Sequence, residues 1–104
     1  MDQDMRKTAW TYKAIAASQT DSALGSAGGA KGDYLENLVI TVGTAATAAV
    51  SIKDGSGSSI PILPNSPGGG IGVYVVAVKA CSASGAWSVT TGAGSTVVAT
   101  GHFT

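Results

Sequence analysis

The sequence predicts an all-β fold, an antiparallel β-sandwich or jelly-roll-like domain with an extended N-terminal arm. Three observations carry this. Turn signals recur about every 8–12 residues, the spacing of short strands in a sandwich or barrel. The runs between them are rich in β-branched residues and alternate with period two. No segment of useful length shows the 3.6-residue period of a helix. The best helical candidate, Tyr12 to Ser18, is short and uncapped, and isolated helices below about 12 residues are marginal in water.

Charge placement suggests two parts. Residues 1–36 hold nine of the twelve charged residues, and residues 37–104 hold only Lys53, Asp54 and Lys79. We read residues 1–32 as an arm or linker and residues 33–104 as the β-sandwich domain. The boundary falls in Ser18 to Gly32, which contains Gly25, Gly28, Gly29 and Gly32 and no large apolar residue except Leu24. Such composition predicts a flexible loop or an extended segment lying on something else. Within the arm, Thr8 to Lys13 alternates and places Trp10 and Tyr12 on one face of a possible short strand.

From Tyr34 onward strands and turns follow in order. Leu38, Ile40 and Val42 alternate with Val39, Thr41 and Gly43; Ala48, Val50 and Ile52 alternate with Ala49, Ser51 and Lys53. Asp54-Gly55 marks a reversal. Ile60 to Leu63 is a short apolar run in which Pro61 argues for an edge position or strand start. The stretch from Pro64 to Gly70 is a loop. Val73 to Lys79 reads as the clearest buried strand, because Val73, Val75 and Ala77 share one face and Tyr74, Val76 and Val78 the other. Ser82 to Gly85 turns the chain, Trp87 and Val89 share a face of the next strand, and Thr91 to Gly94 turns again. Thr96 to Thr100 forms the last strand before His102 and Phe103.

Composition excludes several functions. Six Lys or Arg balance six Asp or Glu, so the basic stripe of a nucleic-acid partner is missing. Low charge with 44% apolar residues is also unlike a disordered chain. No apolar stretch reaches the 18 residues of a membrane-spanning helix. The start, Met1 to Lys7, puts two acids before a basic pair and lacks a long apolar stretch, so no secretory signal is read and cytoplasmic synthesis is expected. One cysteine forms no internal disulfide. Gly, Ala, Ser and Thr together supply 55 of the 104 residues; small side chains make each burial modest, so help from oligomerisation or docking is expected.

No catalytic set emerges. His102 is the only histidine and lies two residues from the C-terminus, where a base lacks an orienting partner. Asp33 and Glu36 border a strand and read as solvated or sheet-edge groups, and Asp54 is turn chemistry. No ligand spacing for a metal exists. The glycine run from Gly25 to Gly32 has Ala30 and Gly32 where a phosphate loop needs Gly and Ser or Thr, and Gly68 to Gly72 opens no helix. No cofactor is expected. Cys81 reads as a small buried thiol. Trp87, Tyr74 and Phe103 are read as core, with a sugar-stacking face as the alternative. Trp10 and Tyr12 lie outside the main strand array, where an aromatic either anchors to a partner or packs into the chain's own core. With Arg6, Lys7 and Lys13 they form the candidate partner-binding set.

Four stretches carry a resemblance: Asp33-Tyr34-Leu35-Glu36-Asn37-Leu38-Val39-Ile40, Ala49-Val50-Ser51-Ile52-Lys53-Asp54-Gly55, Pro64-Asn65-Ser66-Pro67-Gly68-Gly69-Gly70, and Gly85-Ala86-Trp87-Ser88-Val89-Thr90-Thr91-Gly92-Ala93-Gly94. Together they resemble the small capsid decoration (cement) proteins of tailed bacteriophages, over residues 33–104. The resemblance implies a non-enzymatic virion protein, made in the host cytoplasm and bound to the outer surface of the head. Its partners would be the major capsid protein and copies of itself, as homotrimers or homodimers. Alternatives from other classes are a carbohydrate-binding or adhesion module, such as a head-fibre or tail-tip subunit, and a connector or tail subunit.

Overall fold

The computed structural model describes residues 11–25 and 32–103. Eight strands run in chain order: β1 (Thr11–Ile15), β2 (Ser22–Ala23), β3 (Tyr34–Val42), β4 (Val50–Asp54), β5 (Ile60–Leu63), β6 (Gly72–Cys81), β7 (Trp87–Thr91) and β8 (Ser95–His102). One short 3₁₀ turn, Ala45–Thr47, joins β3 to β4. The strands form two antiparallel four-stranded sheets, ordered β1-β8-β3-β6 and β2-β7-β4-β5. The fold is the expected all-β sandwich. The chain is wound like one long hairpin, β1 on β8, β2 on β7, β3 on β6 and β4 on β5, with successive rungs falling in alternate sheets.

Period two decides which side chains face the core. In β3, Leu35, Leu38, Ile40 and Val42 are buried, as are Val50 and Ile52 of β4, Trp87 and Val89 of β7, and Val97 and Ala99 of β8. These inner faces make one contiguous cluster, and each full burial of a Leu, Ile or Val contributes about 1.5–3 kcal/mol. The Trp87 indole N–H donates to the Asp33 carbonyl oxygen at 3.0 Å, so its one polar atom is satisfied inside. The core readings of β3, β4 and β7 hold.

Residues 11–25 are not an arm set apart from the domain. β1 pairs with β8 from Thr11 opposite Gly101 to Ile15 opposite Val97, and β2 pairs with β7. Ile15 and Leu24 belong to the core cluster. The segment between the two strands is pinned along β7 by two threonine hydroxyls. Thr91 Oγ1 donates to the Ala16 carbonyl at 2.7 Å and accepts the Gln19 N–H at 3.0 Å, while Thr90 Oγ1 accepts the Asp21 N–H at 2.9 Å. The expected loose linker over 18–32 is therefore tethered as far as residue 25; residues 26–31 lie outside the described part. The tether was illegible because its partners lie about 70 residues away in sequence.

Three further readings change. β6 was expected to be buried on both faces. It is an edge strand of its sheet, with Val73 63% and Val75 66% exposed. Cys81, at its end, is exposed rather than packed. Asp33 is buried, not solvated; its backbone carbonyl takes the Ser82 N–H as well as the Trp87 indole. The Pro61 reading holds, since β5 is the edge of the second sheet.

Candidate interaction surface

The strand register builds a four-stranded outer face on the β1-β8-β3-β6 sheet. Ala14 lies opposite Val98, Val98 opposite Val39 and Val39 opposite Val75, so one aliphatic row crosses the sheet. Tyr12, Thr100, Asn37 and Ala77 make the next row, and Thr96, Thr41 and Val73 a third. Tyr12 is 70% exposed. No residue of these rows carries a charge. Four strands at about 4.8 Å spacing and three rows about 6.7 Å apart give a footprint of roughly 300–400 Å². Thr100, Asn37, Thr96 and Thr41 interleave with the aliphatic side chains, so the face is uncharged and mixed rather than wholly apolar.

Charge appears only at one end of the face. There the Tyr34 hydroxyl donates to Glu36 Oε1 and the Lys79 ammonium to Glu36 Oε2, each at 2.6 Å. Lys79, and after it Tyr34, hold the Glu36 carboxyl below the usual carboxylate range; Glu36 in turn raises the Lys79 ammonium and the Tyr34 phenol. The cluster sits at an irregularity in the ladder, where the β3 register shifts between Leu35 and Asn37 and Lys79 adopts a left-handed φ of 51°. In register, Tyr34 lies between His102 on β8 and Cys81 on β6.

The sequence-derived set is only partly brought together. Tyr12 lies on the outer face, in the strand array rather than outside it. Lys13 is exposed but registers with the core residue Ala99, so it alternates away from the face. Trp10, Arg6 and Lys7 lie outside the described residues. What sequence reasoning missed is the face itself. Its signal was present in β6, whose two faces are both apolar, a pattern read as double burial.

A second feature is a depression of about 390 Å³ beside β4 and β7, lined by Asp21, Lys53, Gly55, Ser84 and Ser88. Lys53 Nζ meets Asp21 Oδ2 across it at 3.3 Å. Next to the lining residues Lys53 and Gly55 in sequence, the Asp54 carboxylate accepts the Ser84 N–H at 3.0 Å and the Ala83 N–H at 2.9 Å. Gly55 is in the left-handed region, and a Cβ there would fall on the Ser84 hydroxyl and within 2.6 Å of the Gly85 nitrogen, so this turn needs glycine.

The Ser84 and Ala83 amides hold the Asp54 carboxyl below its ordinary value. Its folded pKa lies below its unfolded one, so its stabilisation is complete above about pH 4 and is lost as pH falls through the folded value. Asp54→Asn is expected to cost about 1 kcal/mol near neutral pH and to remove that part of the acid sensitivity. Urea midpoints of both proteins at neutral and at acid pH check this. The expected result is a gap that narrows on acidification.

His102 is exposed at the end of β8, and the described residues contain no group of three His, Cys, Asp or Glu able to hold a metal. No helix among them is long and apolar enough to cross a membrane. Comparison with family models, curated proteins and solved structures gives no match.

Proposed function

We propose that the chain is a capsid decoration protein of a tailed bacteriophage. In this reading it binds the outer surface of the assembled major capsid protein lattice and stabilises the head. The observation that carries the docking part is the uncharged outer face of the β1-β8-β3-β6 sheet, on a domain whose described residues assemble no catalytic group. The resemblance of residues 33–104 supplies the identity of the partner. The nested winding of eight strands into two four-stranded sheets supports it, because it resembles the jelly-roll arrangement that viral capsid subunits use; that support is by analogy.

The mechanism is mass action. A ligand that binds only the expanded, assembled lattice stabilises that lattice according to its affinity. Apolar and threonine side chains presented on a rigid sheet dock with little loss of side-chain entropy. Many copies, each held weakly, reinforce a shell through the number of joints rather than the strength of one.

The test is cosedimentation of the purified full chain with cognate expanded heads. Binding is expected to expanded heads and to weaken by at least about tenfold with Val98→Glu, which places a charge in the middle of the face and strands it there on docking. Absence of cosedimentation removes the capsid reading. Undiminished binding by Val98→Glu removes this face as the dock.

Jelly rolls also serve lectins, but the sugar-binding alternative needed Trp87 and Tyr74 exposed together. Trp87 is 4% exposed. Tyr74 packs on the core, its hydroxyl donating to the Gly70 carbonyl at 2.6 Å. Trp87 and Tyr74 therefore do not present an exposed stacking pair, and the decoration reading is preferred.

A further inference from the structure

The four edge strands of the sandwich are β1, β6, β2 and β5, and three of them carry ordinary protection against pairing with another chain. β2 has two residues, β5 has four with Pro61 among them, and β1 has five with Lys13 near its middle. Short length, proline and lysine are the devices that blunt a sheet edge. β6 has none of them over most of its length. It runs ten residues, Gly72–Cys81, without proline, and its single charge, Lys79, is engaged by Glu36. One side of β6 pairs with β3, and no described strand pairs with the other.

We infer that β6 is a self-association edge, at which a second copy of this chain adds antiparallel to form one continuous eight-stranded sheet. The regular part of the strand ends where Lys79 takes its left-handed φ. What remains, Gly72 to Val78, is centred on Val75. An isologous pair with its two-fold axis at Val75 places Val75 opposite its own copy and Val73 opposite Ala77 of the other subunit. Lys79 then falls beyond the ladder. Shifting the axis toward the C-terminal end instead brings Lys79 into the seam opposite an apolar residue. Charge and backbone geometry thus select the same register.

The area fits a reversible dimer. Seven residues at about 3.3 Å rise make an edge about 23 Å long. The smallest principal extent of the molecule is 19 Å. The flat footprint is then at most about 440 Å² per copy, about 880 Å² in total, which lies below the roughly 1,000 Å² of a stable specific interface and in the range of weak, transient ones. An interface this small is weak and reversible, so the association is looked for at micromolar and higher concentrations. A trimer is not expected from this edge, because it would have to oppose the ten residues of β6 to the five of β1. The inference stands apart from the capsid reading, and either can fail alone.

Sedimentation equilibrium of the full chain from micromolar concentrations upward tests it. The expected result is a monomer–dimer equilibrium that Val75→Glu weakens by at least about tenfold, since like charges then face each other across the two-fold. Mixing Val75→Glu with Val75→Lys is expected to restore a dimer, which a misfolded variant would not do. Val98→Glu, two strands away on the same face, is expected to leave the dimer intact. A monomer at every concentration, a trimer, a dimer indifferent to Val75→Glu, failure of the mixture to recover, or equal loss with Val98→Glu would each overturn the inference; the last would indicate pairing face to face.

Discussion

A chain beginning at Gly32 is expected to be largely unfolded, and not a stable domain freed of an arm. The deleted segment includes β1 and β2, whose Ile15 and Leu24 are 3% and 5% exposed in the core. Emptying one such site costs about 2–5 kcal/mol, and two sites together approach the 5–15 kcal/mol that holds a domain of this kind folded. The deletion also strips the outer edge of β8 of its five-residue ladder, leaving a long unpaired strand that invites aggregation. Near-ultraviolet circular dichroism and urea unfolding of the truncated chain check the outcome. A cooperative transition with an unchanged midpoint would show that β1 and β2 are dispensable.

Trp87→Ala is expected to be the most damaging single substitution among the core aromatics. The indole lies in the core cluster between the sheets, and truncation of a buried Trp costs about 3–5 kcal/mol. Part of the loss is polar, because the Asp33 carbonyl gives up the indole donor while it remains buried. That carbonyl sits where the chain enters β3 and also takes the Ser82 amide, so the damage spreads to the β6–β7 turn. For a domain of about 100 residues each kcal/mol moves Tm by about 4–8 °C, giving a fall of roughly 12–40 °C. Thermal unfolding measures this directly. Trp87→Phe is expected to lie between, keeping ring area and losing the donor.

Self-association at β6 and docking through the outer face reinforce one another if both hold. A dimer would present two uncharged faces side by side in one sheet, doubling the number of contacts made in a single encounter. The low charge of the chain, a liability in an isolated exposed domain, suits a subunit that works packed against others.

Some of this was legible in the residues. The alternation of Leu38, Ile40 and Val42, and of Val50 with Ile52, placed β3 and β4 and their inward faces. Pro61 placed an edge, and the turns at Asp54-Gly55, Pro64–Gly70 and Thr91–Gly94 lie where glycine, proline and asparagine put them. Local steric preference decides such features, so local sequence reports them. Val73 to Val78 shows the limit of that logic. An apolar pattern on both faces of a strand states that both faces avoid water, not what covers them. In this subunit one side is covered by the other sheet and one by nothing within the described chain.

The charge split over residues 1–36 misled for a related reason. Polar and glycine-rich composition predicted an arm, yet the hydroxyls of Thr90 and Thr91 tether residues 16–21, and β1 and β2 complete the two sheets. By itself the sequence determined the fold class, the positions of β3 to β8 and the inward faces of β3, β4 and β7, because these rest on period two and turn chemistry within a few residues. Only the tertiary structure decided which strands are edges, that Tyr12 joins a face built with Val98, Val39 and Val75, and that β6 is left open. Those outcomes depend on pairing between segments as distant as Thr11 and Gly101, and no local pattern encodes a partner that far along the chain.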